Sequence, residues 1–143
     1  MIIAEVLNNK GSDVTIIEET RTVTDAIALL AERKIGAVIV VDTAGQVTGI
    51  FSERDVVRLL NEHGATALEN SLVSRMTRHP VTCTRGDSVA DVLETMSKLH
   101  FRHMPVFDNG VLCGMVSIRD LVVERLQKVE TEAEEIRAYV AGA

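Results

Sequence analysis

Val23-Thr24-Asp25-Ala26 returns as Val89-Ala90-Asp91-Val92, 66 residues later, and Val40-Val41-Asp42 returns as Val106-Phe107-Asp108 at the same spacing. After a one-residue insertion following Ala44 the spacing becomes 65, and Gly49-Ile50-Phe51-Ser52-Glu53-Arg54-Asp55 is matched by Gly114-Met115-Val116-Ser117-Ile118-Arg119-Asp120. A duplication at fixed spacing requires both copies to share one fold. One copy of roughly 60 residues is marginal as an independent domain. The two are therefore expected to form a single module, packed through their sheets.

Each copy presents its elements in the same order. A short strand (Val14 to Ile17; Val81 to Thr84) leads through a turn into a helix. Val23, Ala26, Ile27, Leu30 and Ala31 in copy one, and Val89, Val92, Leu93 and Met96 in copy two, recur at helical spacing. Thr22 and Ser88 precede these runs with an Asp three positions on, the arrangement of a helix start. A strand follows (Ala37 to Val41; His103 to Phe107), and the β-branched run of copy one predicts burial on both faces. Asp42-Thr43-Ala44-Gly45 and Asp108-Asn109-Gly110 carry hairpin chemistry. The next strand (Val47 to Phe51; Val111 to Val116) runs into a serine that opens another helix. Each copy thus reads β-α-β-β-α, an α+β arrangement. Asn61 to Thr77 connects the copies, and Leu72 to Met76 aligns with Val6 to Lys10, so each copy is expected to begin with a helical lead-in. The expected divisions are residues 1–62, a connector over 63–71, a second copy over 72–126, and a helical extension over 127–143.

Composition excludes several classes. The net charge of −6 argues against nucleic acid as the main partner, since phosphate backbones demand basic patches. No apolar run approaches a membrane span, and the first residues lack the pattern of a signal peptide. Cys83 and Cys113 lie in strand-like segments without metal-ligand spacing. Neither a disulfide nor a metal site is expected, and the reducing cytoplasm is the expected compartment. No pairing of a nucleophile with a base emerges, so the chain is not read as an enzyme and no catalytic cofactor is expected.

The two seven-residue segments resemble the G-h-h-S-x-x-D signature (h, apolar) that closes a CBS domain. Arg102-His103-Met104-Pro105-Val106 is similar to the motif that opens the family's second strand. The resemblance covers residues 1 to 126, twice in register, and extends to small stand-alone bacterial CBS proteins. It implies a pseudo-symmetric disc with a cleft offering two related sites for adenosyl ligands: AMP, ADP, ATP, dinucleotides such as NAD(H), and S-adenosylmethionine. A regulatory module follows, sensing energy or redox state and signalling to an unidentified protein effector through ligand-dependent domain or subunit orientation. The alternative is a structural or dimerisation scaffold with vestigial pockets.

The same resemblance nominates the site. Asp120 and Asp55 would accept from the two ribose hydroxyls, for which a carboxylate has the required pair of oxygens. Ser117 and Ser52 accompany them, although Ser-x-x-Asp is equally a capping box. Arg119 and Arg54 would reach phosphate as bidentate donors, against the alternative of an exposed surface arginine. Arg102 and His103 break the repeat symmetry, because Gly36 and Ala37 stand in their places. Cationic side chains there suit phosphate and predict two unequal sites, while a packed histidine is the plainer reading of His103. Thr82 and Ile16 would line the adenine pocket, though Ile16 reads first as core.

Val122, Leu126, Val129, Ala133, Ile136 and Val140 follow 4-3 spacing, the a/d seam of a coiled coil. This extends the last helix beyond the resemblance. The seam either pairs with a second copy, making the chain a homodimer, or folds back over its own domain.

Overall fold

A computed structural model describes residues 1–142. In chain order the elements are α1 (Ile3–Lys10), β1 (Ile16–Glu18), α2 (Val23–Arg33), β2 (Ala37–Val41), β3 (Val47–Ser52), α3 (Glu53–His63), β4 (Thr77–Arg78), β5 (Cys83–Thr84), α4 (Val89–Leu99), β6 (His103–Asp108), β7 (Val111–Ser117) and α5 (Ile118–Gly142). Short 3-10 turns span Gly64–Glu69 and Leu72–Ser74.

The chain forms two compact units. The first comprises Asp13–Val81, and the second joins Met1–Ser12 to the residues from Thr82 onward. The first unit holds a sheet of order β1-β2-β3-β4, with β1 parallel to β2 and the other pairs antiparallel. The second holds β5-β6-β7 with the same parallel-then-antiparallel pattern. Both hairpins carry a register shift, between Val40 and Val41 and between Val106 and Phe107.

Local chemistry explains these elements. Thr22 accepts from the Asp25 N–H while Asp25 accepts from the Thr22 N–H, and Ser88 caps α4 by accepting from the Asp91 N–H. Both helices end on a left-handed residue, Lys34 and His100. All five residues of β2 are buried, as its β-branched run predicts. In the first hairpin one Asp42 oxygen accepts from the N–H groups of Ala44 and Gln46, both at 2.9 Å. In the second, Asn109 and Gly110 take positive φ values of 51° and 78°, the conformation that favours an Asn-Gly pair. The first strand of each copy begins later than its apolar run suggests. Pairing with β2 starts at Ile16, and pairing with β6 starts at Cys83, leaving Val14, Val81 and Thr82 outside the strands.

The lead-ins do not stay with the copies they introduce. Helix α1 precedes copy one, yet its Ile3, Val6 and Leu7 are buried in the core that contains Val89, Met96, Met104 and Val116. The 3-10 turn Leu72–Ser74 precedes copy two, yet Leu72 and Met76 are buried with Val23, Leu30, Val38 and Phe51. Backbone bonds fix this exchange in both units. Ile3 N–H donates to the Asp87 carbonyl and Ala4 N–H to the Arg85 carbonyl, while Leu72 N–H donates to Arg21 and Val73 N–H to Glu19. These bonds make Ile3 equivalent to Leu72, a spacing of 72 − 3 = 69 rather than 66. The sequence alignment of Val6 with Leu72 is thus corrected by three residues. The correction arises because a lead-in is positioned by the sheet it docks on and not by its own copy. Residues 64–76, read as connector and lead-in, fold into the first unit and contribute the buried Ala67, Leu72 and Met76.

Candidate functional site

In each unit the antiparallel hairpin delivers its closing serine opposite the residue that opens the preceding strand. His103 faces Ser117 across β6 and β7, and Ala37 faces Ser52 across β2 and β3. The first helical N–H beyond each serine is tied to the same place. Ile118 N–H donates to the Arg102 carbonyl at 2.8 Å and Glu53 N–H to the Gly36 carbonyl at 3.0 Å. The strand opening, the serine and the third helical residue, Asp120 or Asp55, therefore gather at one end of each sheet. Thr82 lies just outside β5, where the Cys83–Val106 pairing brings it level with Pro105. Ile16 pairs with Ile39, two residues along from Ala37. Ile16 is 51% exposed, which corrects its reading as core: the pleat buries Ile17 and turns Ile16 to the other face. Arg54, Arg102 and Arg119 are exposed, His103 is half-buried and Ala37 is buried.

The two aspartates differ in what engages them. Asp55 is 6% exposed, the one charged residue that is buried among the described residues. Its Oδ2 accepts from the Ser52 N–H at 2.8 Å and the Ser52 hydroxyl at 3.2 Å, and its Oδ1 accepts from Arg58 at 2.9 Å. Both oxygens are committed to helix capping and to an ion pair with their own helix.

Asp120 is more accessible, with a quarter of its side chain (26%) exposed. Its Oδ2 accepts from the Ser117 N–H at 2.9 Å and from the Lys10 ammonium at 2.7 Å, and its own N–H donates to the Ser117 hydroxyl at 3.1 Å. Among the described residues Oδ1 makes no hydrogen bond. Lys10 also donates to the Met115 carbonyl at 2.7 Å. Burial pushes the Asp120 carboxyl up, but donation from Lys10 and the Ser117 N–H, with the Lys10 charge, outweighs it and holds the pKa below the ordinary value of 3.8. Lys10 is the cation that engages this carboxylate, while Arg102 and Arg119 stand at the same end of the sheet as exposed residues.

Lys10 is the residue that sequence reasoning missed. It stands 110 positions from Asp120 and reaches it only because α1 docks on the second unit. Arg58 was missed as well, although an arginine one turn after Asp55 is a legible pairing signal.

Against known proteins, the CBS domain model matches twice, over residues 4–62 and 71–126. A CBS domain-containing protein of Arabidopsis thaliana is 31% identical over 120 residues, which is 83% of this chain and 22% of that protein. The chain thus spans under a quarter of that relative's length. Among solved structures, a CBS-domain containing protein from Agrobacterium tumefaciens superposes with a TM-score of 0.85 at 38% identity, covering 87% of this chain and 99% of the other. A CBS domain protein from Pyrobaculum aerophilum, complexed with AMP, gives 0.78 at 26% identity and covers 93% and 99%. With both copies matched and their closing motifs built alike, the chain belongs to the CBS domain family as a tandem pair.

Proposed function

We propose that this CBS pair is a non-catalytic regulatory module that binds an adenine nucleotide at the Asp120 end of its second unit. The observation that carries the reading is the contrast between the two aspartates. Asp120 keeps an uncommitted carboxylate oxygen beside the Lys10 ammonium, whereas Asp55 is buried with both oxygens occupied. A ribose hydroxyl needs a carboxylate acceptor, and a phosphate needs the cations. The AMP complex of the Pyrobaculum aerophilum relative supports an adenosyl ligand. The proposal narrows the two related sites expected from the repeat to one working site per chain. Asp120, Ser117, Lys10, Arg102, His103 and Arg119 furnish that site, with Thr82 on its flank. Asp55, Ser52, Arg54, Ile16 and Ala37 form a counterpart in which the carboxylate serves the fold.

Lys10 shapes the choice of ligand. Its ammonium has three donors, two of them committed to Asp120 and Met115, so one remains for an anion. AMP, ADP, ATP and NAD(H) all carry phosphate and suit this ammonium better than a cationic S-adenosylmethionine. Occupancy would be relayed to an effector protein in the cytoplasm through a change in domain orientation, or in subunit orientation within a homodimer. A scaffold with vestigial pockets is the competing reading, and the sealed state of Asp55 is the observation in its favour.

Calorimetric titration with AMP, ADP, ATP, NAD, NADH and S-adenosylmethionine separates the two. Binding of a phosphorylated ligand with one site per chain, lost in Asp120→Ala and kept in Asp55→Ala, supports the sensor. No binding by protein stripped of nucleotide supports the scaffold.

A further inference from the structure

Helix α5 runs unbroken from Ile118 to Gly142, and its polar side from Glu124 to Glu135 borders a groove shared with Met1 and Asn9. Leu121 is fully buried, but beyond Glu124 every described residue except Ala133 is exposed. The 4-3 seam is exposed at every position but Ala133. Val122 is 42% exposed, Leu126 63%, Val129 57%, Ile136 64% and Val140 67%, so it does not fold back over its own domain. From Val122 to Val140 the seam extends about 27 Å at 1.5 Å per residue. The arm from Arg125 to Gly142 is rich in strong helix formers, so it keeps its helix while leaving an apolar seam facing water.

We infer that this arm pairs with the same arm of a second copy, parallel and in register. Placing Val122, Val129 and Ile136 at d and Leu126, Ala133 and Val140 at a fixes the flanking positions. Arg125 and Glu132 then stand at g, with Glu130 and Arg137 at e. In a parallel pair each g residue faces the e residue five positions on in the other helix. Arg125 meets the second copy's Glu130, and Glu132 meets its Arg137, so each contact joins opposite charges. An antiparallel pair with full overlap of the seam brings Glu130 against Glu130 and Glu132 against Glu132. Among the described residues none of these four side chains forms an ion pair within its own chain. Charge complementarity therefore names both the occupant of the seam and its direction. The inference deepens the homodimer reading and is independent of which nucleotide binds.

Sedimentation equilibrium of the full chain tests it. The wild type is expected at twice the chain mass or more, and Val129→Glu with Ile136→Glu at the mass of one chain with circular dichroism of the two units retained. Glu130→Arg alone should weaken association at least tenfold, and adding Arg125→Glu should restore it. Val140→Cys should oxidise to a covalent pair, because a parallel in-register coil sets identical seam positions side by side, whereas the antiparallel pair sets position 140 against position 122. A wild type that stays monomeric at all concentrations overturns the inference, as does an undiminished mass in the double glutamate variant. Failure of Val140→Cys to cross-link overturns the parallel direction. AMP binding that persists in the monomeric variant separates this test from that of the nucleotide reading.

Discussion

The Lys10 ammonium sits 2.7 Å from Asp120 Oδ2, joining the last residue of the first helix to the third residue of the last helix. Both side chains are more than two-thirds buried, with 30% and 26% exposure, so the pair is better shielded than a surface salt bridge. Lys10→Met removes the cation but keeps much of the stem. AMP affinity is expected to fall roughly tenfold, the scale of one charge-assisted hydrogen bond. Adenosine, which has no phosphate, should lose much less, and calorimetry with the two ligands reads the difference.

Acid should dissociate the same pair. Asp120 has a folded pKa below its unfolded one, so its stabilising contribution is complete above the unfolded value and disappears as pH falls through the folded value. The carboxyl carbon shift of Asp120, followed by NMR, should titrate below its ordinary value of 3.8. In Lys10→Met the main lowering influence is gone while burial still acts upward, so the midpoint moves to higher pH. An unmoved midpoint counts against the salt bridge.

For Asp55 the expected effect is on stability alone. Asp55→Ala removes the acceptor for the Ser52 N–H and for Arg58. The loss should be about 1–3 kcal/mol in urea denaturation, combining a lost cap with an unpaired buried donor. AMP affinity should change by less than about twofold, since charge at Asp120 is untouched.

The glycines of the two closing motifs should respond unequally to alanine. A Cβ at Gly49 would lie 2.6 Å from Met76 Sδ and 2.7 Å from the Thr77 carbonyl oxygen, whereas one at Gly114 would lie 2.9 Å from a methyl of Leu7. A leucine methyl can rotate away, but a carbonyl held in the β3–β4 ladder cannot. Gly49→Ala is expected to cost about 2–3 kcal/mol and Gly114→Ala about 1–2 kcal/mol by chemical denaturation.

Thiol titration offers a separate check, on burial. Cys83 is buried, and desolvation pushes its thiol up to about 12, with Asp87 and Cys113 adding to the rise. Cys113 is only partly buried. An aromatic disulfide reagent at neutral pH should modify one thiol of the native chain, and mass spectrometry should place it at Cys113. Cys83 should react only after unfolding, because the thiolate is the nucleophile.

Much of this architecture is legible in the sequence because its signals are local. Thr22-x-x-Asp25, Ser52-x-x-Asp55 and Asn109-Gly110 specify caps and a turn through neighbours within a few residues. The β-branched run of β2 likewise announces its burial. Relationships between distant segments escape such a reading. Nothing near Lys10 indicates Asp120, and nothing near Leu7 indicates the gap above Gly114. The exposed Ile16 was misjudged because a hydrophobic residue in a three-residue strand carries too little periodicity to reveal its face. Arg102 and His103 already predict unequal sites, but which carboxylate is committed to the fold shows only in the geometry of Arg58 and Lys10.

The crossed lead-ins also constrain how such a chain can have arisen. A single-copy ancestor built on the same rule would lack the segment that covers its own sheet, and could complete its core only by trading segments with a neighbour. Fusing two copies in tandem turns that trade between molecules into one within a chain, at an effective concentration set by the linker rather than by expression. A lone half excised today, ending near residue 62, would return to the ancestral problem. It would carry an unsatisfied α1 and an uncovered Gly49, and two such halves would be left to swap them.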